Sequence, residues 1–176
     1  MTIHLTLLCA TTVQVTNGAM AGVTLTLEPE RDATVAGEPL PPYALAVRGP
    51  SARCAQAADT LGLDTTTEPL LRDVDYGSWR GRTLDEIAAD DPYGLSAWLT
   101  DPEAAPHDGE SVGHLCRRAA RWLRSLPPDT GPALAIAPSA VIRALLVHAL
   151  SAPPRAFWHV GELPLPSAVR LASQTV

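Results

Sequence analysis

The chain has 176 residues, of which 46% are hydrophobic, and its formal net charge is −6, from 13 basic and 19 acidic side chains. This size and apolar content predict one globular domain spanning 1–176, and the negative charge argues against nucleic-acid binding. The densest group of basic residues has the spacing of a solvated helix face: Arg117, Arg118, Arg121 and Arg124. Every basic residue is arginine, which excludes lysine-dependent catalysis.

The hydrophobic pattern predicts strands and helices in alternation. Strands are predicted at 2–8, 43–48, 133–137 and 168–172. Helices are predicted from about Pro50 to Leu61, after Thr83, after Ser111 and at 141–150. The segment 17–42 is punctuated by proline and glycine, and no conformation is assigned to it. Strands that alternate with helices indicate an α/β sandwich.

Three signals in the sequence mark helix ends. Thr83 and Glu86 have the spacing of a capping box, which places the start of a short helix at Thr83. Ser111 is predicted to cap a helix whose apolar positions form one inward stripe, and Gly62 is placed for a left-handed cap after the first helix. These signals predict both the helices and their limits.

The cysteines and the hydropathy suggest a compartment. Cys9, Cys54 and Cys116 are odd in number and lie in apolar or helical surroundings, which favours buried reduced thiols over disulfides. No stretch has the length of a membrane span, and the start MTIHLTLL lacks the features of a signal peptide. We therefore expect a cytoplasmic protein that does not bind membranes.

The spacing of residues in the sequence argues against several kinds of catalytic or metal site. A cysteine-phosphatase loop requires Cys-x5-Arg, whereas Val15 stands at that distance from Cys9. The five histidines show no metal-ligand spacing, so neither a metal site nor a cofactor is predicted. Ser139 lies between a predicted strand and helix, as in a nucleophile elbow, but Ala137 and Val141 replace the flanking glycines, which favours a helix cap.

Four segments carry a family resemblance. LLRDVDYGSWRGRTLDEI (70–87), together with GPSARCAQAA (49–58), DPEAAPHDGESV (101–112) and VIRALLVHALSAPPRAFW (141–158), resembles the histidine phosphatase superfamily, the phosphoglycerate-mutase-like proteins. The resemblance implies a three-layer α/β/α sandwich with a mixed, mostly parallel sheet. It also implies a site at the carboxyl ends of the strands, where a histidine in an Arg-His-Gly turn attacks a phosphoryl group and a second histidine follows a later strand.

The sequence departs from this pattern at the reactive positions. Aligning TIHLTLLCATT with the first strand of the family places Cys9, Ala10 and Thr11 at the Arg-His-Gly positions. In AIAPSAVIR, Pro138 takes the place of the second histidine. A methyl group and a pyrrolidine ring cannot act as phosphoryl nucleophiles, so the sequence predicts a degenerate member without phosphohistidine chemistry.

The remaining matches define a predicted ligand-binding cleft. Asp73 takes the place of the family's general acid and is the one catalytic candidate, and Arg53 matches the arginine that binds phosphate. Simpler structural interpretations remain for both residues: Asp73 is an acidic loop residue without a catalytic role, and Arg53 forms an ion pair on the surface. The other predicted cleft residues are Cys9, Thr11, Thr12 and Ser139.

His107 precedes a Gly-Glu-Ser turn that borders the mouth of the active site in the resembling family, which makes it a further ligand-binding candidate. The sequence favours a simpler interpretation for it, an exposed loop histidine.

Three function hypotheses follow. The first is a catalytically degenerate domain that binds a small-molecule ligand or a protein partner. The second is a repurposed biosynthetic enzyme in which Asp73 acts as acid or base and Arg53 orients the substrate. The third is a residual phosphatase or mutase. The oligomeric state and the identity of any ligand stay open, because a fold does not fix a function.

Overall fold

The computed structural model describes residues 2–10, 42–160 and 168–174. Within these ranges the strands are Thr2–Cys9 (β1), Leu45–Arg48 (β2), Thr66–Thr67 (β3), Pro132–Ala137 (β4) and Ala168–Gln174 (β5). The α-helices are Ala52–Thr60 (α1), Leu84–Asp90 (α2), Pro92–Thr100 (α3), Val112–Ser125 (α4) and Ser139–Ala149 (α5). Short 3-10 turns occupy Pro69–Leu71, Gly77–Trp79 and Pro154–Trp158.

The strands form one sheet in the order β3-β2-β4-β1-β5. β1 and β4, β2 and β4, and β2 and β3 pair in parallel, whereas β5 runs antiparallel to β1. This arrangement confirms the predicted α/β fold with a mixed, mostly parallel sheet. Cys9 of β1 pairs in register with Ala137 of β4, so the two central strands end together at one edge of the sheet.

Alternate side chains of the central strands face opposite layers, as the two-residue period of a strand requires. On one face, Leu5 and Leu7 pack into the main core with α4 and α5. On the other face, Leu134 and Ile136 pack with residues of α1. β4 is buried on both faces, which explains its continuous apolar sequence PALAIA.

Most predicted helix ends are confirmed. Thr83 and Glu86 form the capping box of α2, and the Ser111 hydroxyl accepts the backbone N–H of His114 at the start of α4. Gly62 has a φ of +64°, as expected for a left-handed cap. The cap predicted at Ser139 is wrong, because Pro138 is the N-cap and Ser139 is the first helical residue of α5.

Helix α3 was not predicted. Its sequence contains Gly94, which weakens a helical pattern, and it begins one residue after α2 ends. The carboxylate of Asp91 accepts the backbone N–H of Gly94 and caps the helix, while Pro92 occupies its first position. Among the described residues, no helix is long and apolar enough to cross a membrane.

Candidate functional site

The carboxyl edge of the sheet brings together the two positions where the family resemblance leads us to expect histidines. The backbone N–H of Ala10 donates to the carbonyl of Ala137 at 3.0 Å, which places Ala10 directly beside Pro138. Ala10 is half-buried and carries only a methyl group. The centre of this edge therefore presents no imidazole at either position.

Cys9 is the last residue of β1 and is half-buried at the same edge. Burial raises the pKa of its thiol to about 11, and the nearby Cys54 thiol and Asp73 carboxylate act in the same direction. A thiol with this pKa is protonated at neutral pH, whereas the thiolate is the nucleophilic form. We therefore do not expect Cys9 to act as a nucleophile at neutral pH.

Gly49 allows two segments to approach each other near this edge. It follows β2, and a Cβ built on it would lie 2.6 Å from the carbonyl oxygen of Leu71, too close for any other residue without a shift of the backbone. The turn that leads to Arg53 on α1 therefore packs against the segment that leads to Asp73. Arg53 is exposed, and the described residues include no carboxylate within 4 Å of it.

Asp73 retains solvent exposure, but protein atoms surround its carboxylate closely enough to affect its ionisation. Loss of water contact raises the pKa of Asp73, and the hydrogen bond from the Val74 backbone N–H and the positive charge of Arg53 offset part of this effect. A carboxyl group with a raised pKa is suited to donating a proton. The electrostatic effect of Asp73 on the Cys9 thiol shows that the carboxylate lies near the carboxyl edge of the sheet.

A buried ion pair holds the Asp73 segment in place. Arg118 of α4 donates through Nε and Nη2 to the two carboxylate oxygens of Glu110 at 2.8 and 2.6 Å. Its Nη1 donates to the carbonyls of Leu70 and Arg72 at 2.6 and 3.0 Å. Arg118 is therefore not part of a solvated helix face, and that prediction is wrong for this residue, which is 1% exposed.

His107 is buried, so its interpretation as an exposed loop histidine is wrong. It is 0% exposed and packs edge-to-face against Tyr76, Trp79 and Trp98, with ring centroids 4.9–6.4 Å away. The backbone N–H of Gly109 donates to Nδ1 at 3.0 Å, which leaves the proton of the neutral ring on Nε2. Nε2 has no hydrogen-bond partner among the described residues. The aromatic rings around the imidazole exclude water from it. These rings come from residues that are not close together in the sequence.

Acid should destabilise the protein through His107. Burial lowers the pKa of His107, with Asp75 and Asp108 opposing, so the unfolded chain binds the proton more readily than the folded one. The free energy of unfolding should therefore fall as the pH drops below about 6.5, by up to about 1.4 kcal/mol per pH unit. Urea denaturation between about pH 7.5 and pH 5.5, above the usual range of carboxylates, measures this slope.

His107→Gln should flatten that slope. His114→Gln, which replaces an exposed histidine on α4, is the matched control and should keep it. Equal slopes for the wild-type protein and His107→Gln would show that protonation of another group governs the acid sensitivity.

A recess lies next to the sheet edge, beside the start of α5. It measures about 400 Å³ when space open to solvent is included. Its walls are apolar and largely aromatic: Val74, Tyr76, Trp98, Val112, Leu115, Ala140, Phe157 and Trp158. Ser139 and Arg143, one helical turn apart on α5, complete the lining. We call this feature the Arg143 recess.

Arg143 is a buried cation without a carboxylate partner among the described residues. It is 8% exposed, its Nε makes no hydrogen bond, and its Cζ lies 5.2 Å from the ring centroid of Phe157 and 6.0 Å from that of Trp158. Burial lowers the pKa of the guanidinium, and the neighbouring Tyr76 and Cys9 side chains oppose this effect. Cation–π contacts with two rings stabilise the charge in this apolar setting.

The structure separates the predicted site residues into groups. Cys9 and Asp73 lie at the carboxyl edge, Arg53 lies on the exposed side of α1, and Ser139 lines the Arg143 recess. His107 does not line the recess itself but packs against two of its lining residues, Tyr76 and Trp98. Thr11 and Thr12 lie outside the described residues.

Sequence reasoning missed Arg143 and the aromatic walls of the recess. A lone arginine within the apolar helix sequence VIRALLVHAL is nevertheless a signal for a buried cation. The tryptophans of the recess, Trp98 and Trp158, are 60 residues apart in sequence and stack with ring centroids 4.5 Å apart. No local pattern reveals such a contact.

The sequence profile of the histidine phosphatase superfamily (branch 1) matches residues 13–172. Because this match extends over most of the chain, the protein belongs to the histidine phosphatase superfamily. The arrangement of the sheet agrees with this membership.

Relatives among characterised and uncharacterised proteins match parts of the chain. The "Bifunctional protein Rv2228c" of Mycobacterium tuberculosis is 38% identical over 65 residues, which are 37% of this chain and 18% of that protein. A glucosyl-3-phosphoglycerate phosphatase of the same organism is 32% identical over an alignment of 103 positions that covers 52% of this chain and 46% of that enzyme. The matches thus span less than half the length of these relatives.

Solved structures share the fold. Bacillus stearothermophilus YhfR superposes with a TM-score of 0.67 and 22% identity over 89% of this chain and 83% of that chain. The native mycobacterial glucosyl-3-phosphoglycerate phosphatase superposes with a TM-score of 0.62 and 21% identity over 91% and 84%. At these identities the likeness concerns the fold alone.

Proposed function

We propose that this protein is a catalytically degenerate member of its superfamily, which has lost phosphoryl transfer and uses the recess beside the sheet edge to bind a ligand. The observation that carries the proposal is the adjacency of Ala10 and Pro138 at the carboxyl edge. In the family resemblance these positions hold the two histidines, so the centre of the site lacks both imidazoles. Loss of a nucleophile alone lowers turnover by about 10⁶-fold in a well-studied serine protease.

No other described side chain replaces the missing nucleophile. The Cys9 thiol is protonated at neutral pH because burial raises its pKa to about 11. Ser139 has no base next to it: its helical neighbours are apolar and Arg143 is a cation. His107 is enclosed by aromatic rings and fully buried. These observations support binding rather than phosphoryl transfer.

A repurposed enzyme is the second candidate, and the raised pKa of Asp73 is the observation that favours it. A carboxyl group in this state, with the Arg53 charge nearby, has the properties of a general acid for an anionic or carbonyl substrate. The phosphatase activity of the mycobacterial relative does not indicate the substrate of such a reaction, because the phosphoryl nucleophile is the group that this chain lacks.

The protein should not hydrolyse p-nitrophenyl phosphate or 3-phosphoglycerate. The expected rate equals the buffer blank, since neither Ala10 nor Pro138 accepts a phosphoryl group. The control is Asp73→Ala prepared in the same way. Turnover that survives repurification and disappears in Asp73→Ala would refute the degenerate function and restore a working phosphatase.

A further inference from the structure

We propose that the Arg143 recess binds a small molecule that carries a carboxylate on an aromatic or similarly flat apolar body. This inference rests on the proposed ligand-binding function and names the chemistry of the ligand. The carboxylate lies against the Arg143 guanidinium, and the apolar body lies between the aromatic walls formed by Tyr76, Trp98 and Trp158.

The first step of the argument is the unbalanced charge of the recess. A buried arginine ordinarily pairs with a carboxylate, because an unpaired cation in an apolar site is unfavourable. No described carboxylate lies within 4 Å of Arg143, although the other buried arginine, Arg118, has such a partner in Glu110. The neighbours Tyr76 and Cys9 are neutral at pH 7, because burial raises the pKa of both. An external anion completes this arrangement.

The second step is the amino terminus of α5, which lies in the same recess. The first helical hydrogen bond runs from the Ile142 N–H to the Pro138 carbonyl, so the N–H groups of Ser139 and Ala140 have no partner within the helix. Pro138 supplies no side-chain cap. Free N–H groups at a helix start favour an anion, and here they occur one turn from a buried guanidinium.

The third step concerns which anion the recess prefers, a carboxylate or a phosphate. The lining contains a single cationic side chain, Arg143, and its walls are apolar. A phosphoryl dianion carries more charge and more oxygens than one guanidinium can satisfy. A carboxylate is a monoanion whose two oxygens match the two parallel N–H donors of a guanidinium.

The fourth step concerns size and shape. The enclosed part of the recess has room for about one or two water molecules, so a carboxylate is the largest group that it accommodates. The carboxylate therefore enters the narrow part, and the ligand body remains in the open part among the rings. Trp98 and Trp158 pack edge-to-face, so the ligand body meets the face of one ring and the edge of the other.

Calorimetric titration with benzoate, benzamide and phenyl phosphate at constant ionic strength tests the ligand class on the unmodified protein. Benzoate should bind with a saturable isotherm, and the neutral isostere benzamide should bind at least about tenfold more weakly because it lacks the charge. Phenyl phosphate should also bind more weakly than benzoate. Equal binding of benzamide, tighter binding of phenyl phosphate, or no benzoate binding would each overturn the proposal.

A pair of variants assigns the binding to one arginine. Arg143→Gln should weaken benzoate at least about tenfold, whereas Arg155→Gln, an exposed arginine in the neighbouring 3-10 turn, should bind as the wild type does. Thermal unfolding establishes that each variant is folded. If Arg143→Gln does not fold, the comparison of benzoate with benzamide still decides the question on the wild-type chain.

The chain itself supplies rivals for the site, and one of them is close in sequence to the walls of the recess. Glu162 follows the 154–158 turn closely in sequence and lies outside the described residues. If Glu162→Gln and Arg143→Gln lower the melting temperature equally and their combination adds nothing, the anion is intramolecular and the proposal fails. Independent effects of the two substitutions support an external ligand.

The two proposals fail in distinguishable ways. A blank phosphatase assay with no benzoate binding would refute the carboxylate ligand and leave the loss of phosphoryl transfer intact. Genuine turnover of a phosphate ester would refute the degenerate function whatever the titration shows.

Discussion

Replacing Arg118 with methionine should lower the free energy of unfolding by about 3–5 kcal/mol, because it leaves the buried Glu110 carboxylate with only a 3.4 Å contact to the half-exposed Arg72. Glu110 is 5% exposed and accepts two short hydrogen bonds from Arg118. The substitution also releases the carbonyls of Leu70 and Arg72, which flank the Asp73 segment. Urea denaturation measures the loss, and hydrogen exchange should show faster opening of residues 70–76.

The neighbouring arginine provides a matched control. Arg117 also makes two hydrogen bonds to one glutamate, Glu103, but both side chains are about 60% exposed. Arg117→Met should therefore lower the free energy of unfolding by less than about 1 kcal/mol. Similar losses for the two variants would contradict the assignment of the Arg118–Glu110 pair as the buried support of the Asp73 segment.

Replacing Gly77 with alanine should lower the free energy of unfolding by at least about 3 kcal/mol, because it combines backbone strain with a steric clash. Gly77 has a φ of +47°, and its added Cβ would lie 1.9 Å from the carbonyl oxygen of His107. That carbonyl also accepts the Ser78 backbone N–H at 2.8 Å, so it cannot move away without loss of a further bond. The clash would displace the loop that holds His107 beneath the aromatic walls.

Gly81→Ala isolates the strain from the clash. Gly81 has a φ of +79°, but no atom lies within 4 Å of an added Cβ. Its substitution should lower the free energy of unfolding by about 1–2 kcal/mol, the effect of a left-handed conformation alone. If Gly77→Ala and Gly81→Ala are equally destabilising in urea denaturation, close packing at Gly77 contributes nothing.

The local signals in the sequence were sufficient for much of the fold. Period-two alternation and a short apolar run identified β1 and β4, and the capping residues Thr83 and Ser111 marked the starts of α2 and α4. These features depend on neighbours within a few residues. Helix α3 was not predicted because Gly94 weakens its helical pattern and its cap comes from Asp91, the residue that also ends α2.

The site was less predictable because it depends on contacts between distant residues. The sequence could align Ala10 and Pro138 with the family's histidine positions, and the register of β1 and β4 places them side by side. It could not show that Arg118 turns inward, since its three-residue spacing from Arg121 is also that of a solvent-exposed helix face. The burial of His107 likewise depends on Trp79 and Trp98, which reach it from two other segments.

The most direct test of lost phosphoryl transfer is the intact mass of the protein after incubation with excess p-nitrophenyl phosphate and an alkaline quench, which preserves phosphohistidine. The expected spectrum contains only the unmodified chain, because Ala10 and Pro138 leave the sheet edge without a phosphoryl acceptor. A chain that carries one added phosphoryl group on a histidine, and that loses it on acidification, would contradict the proposed function directly.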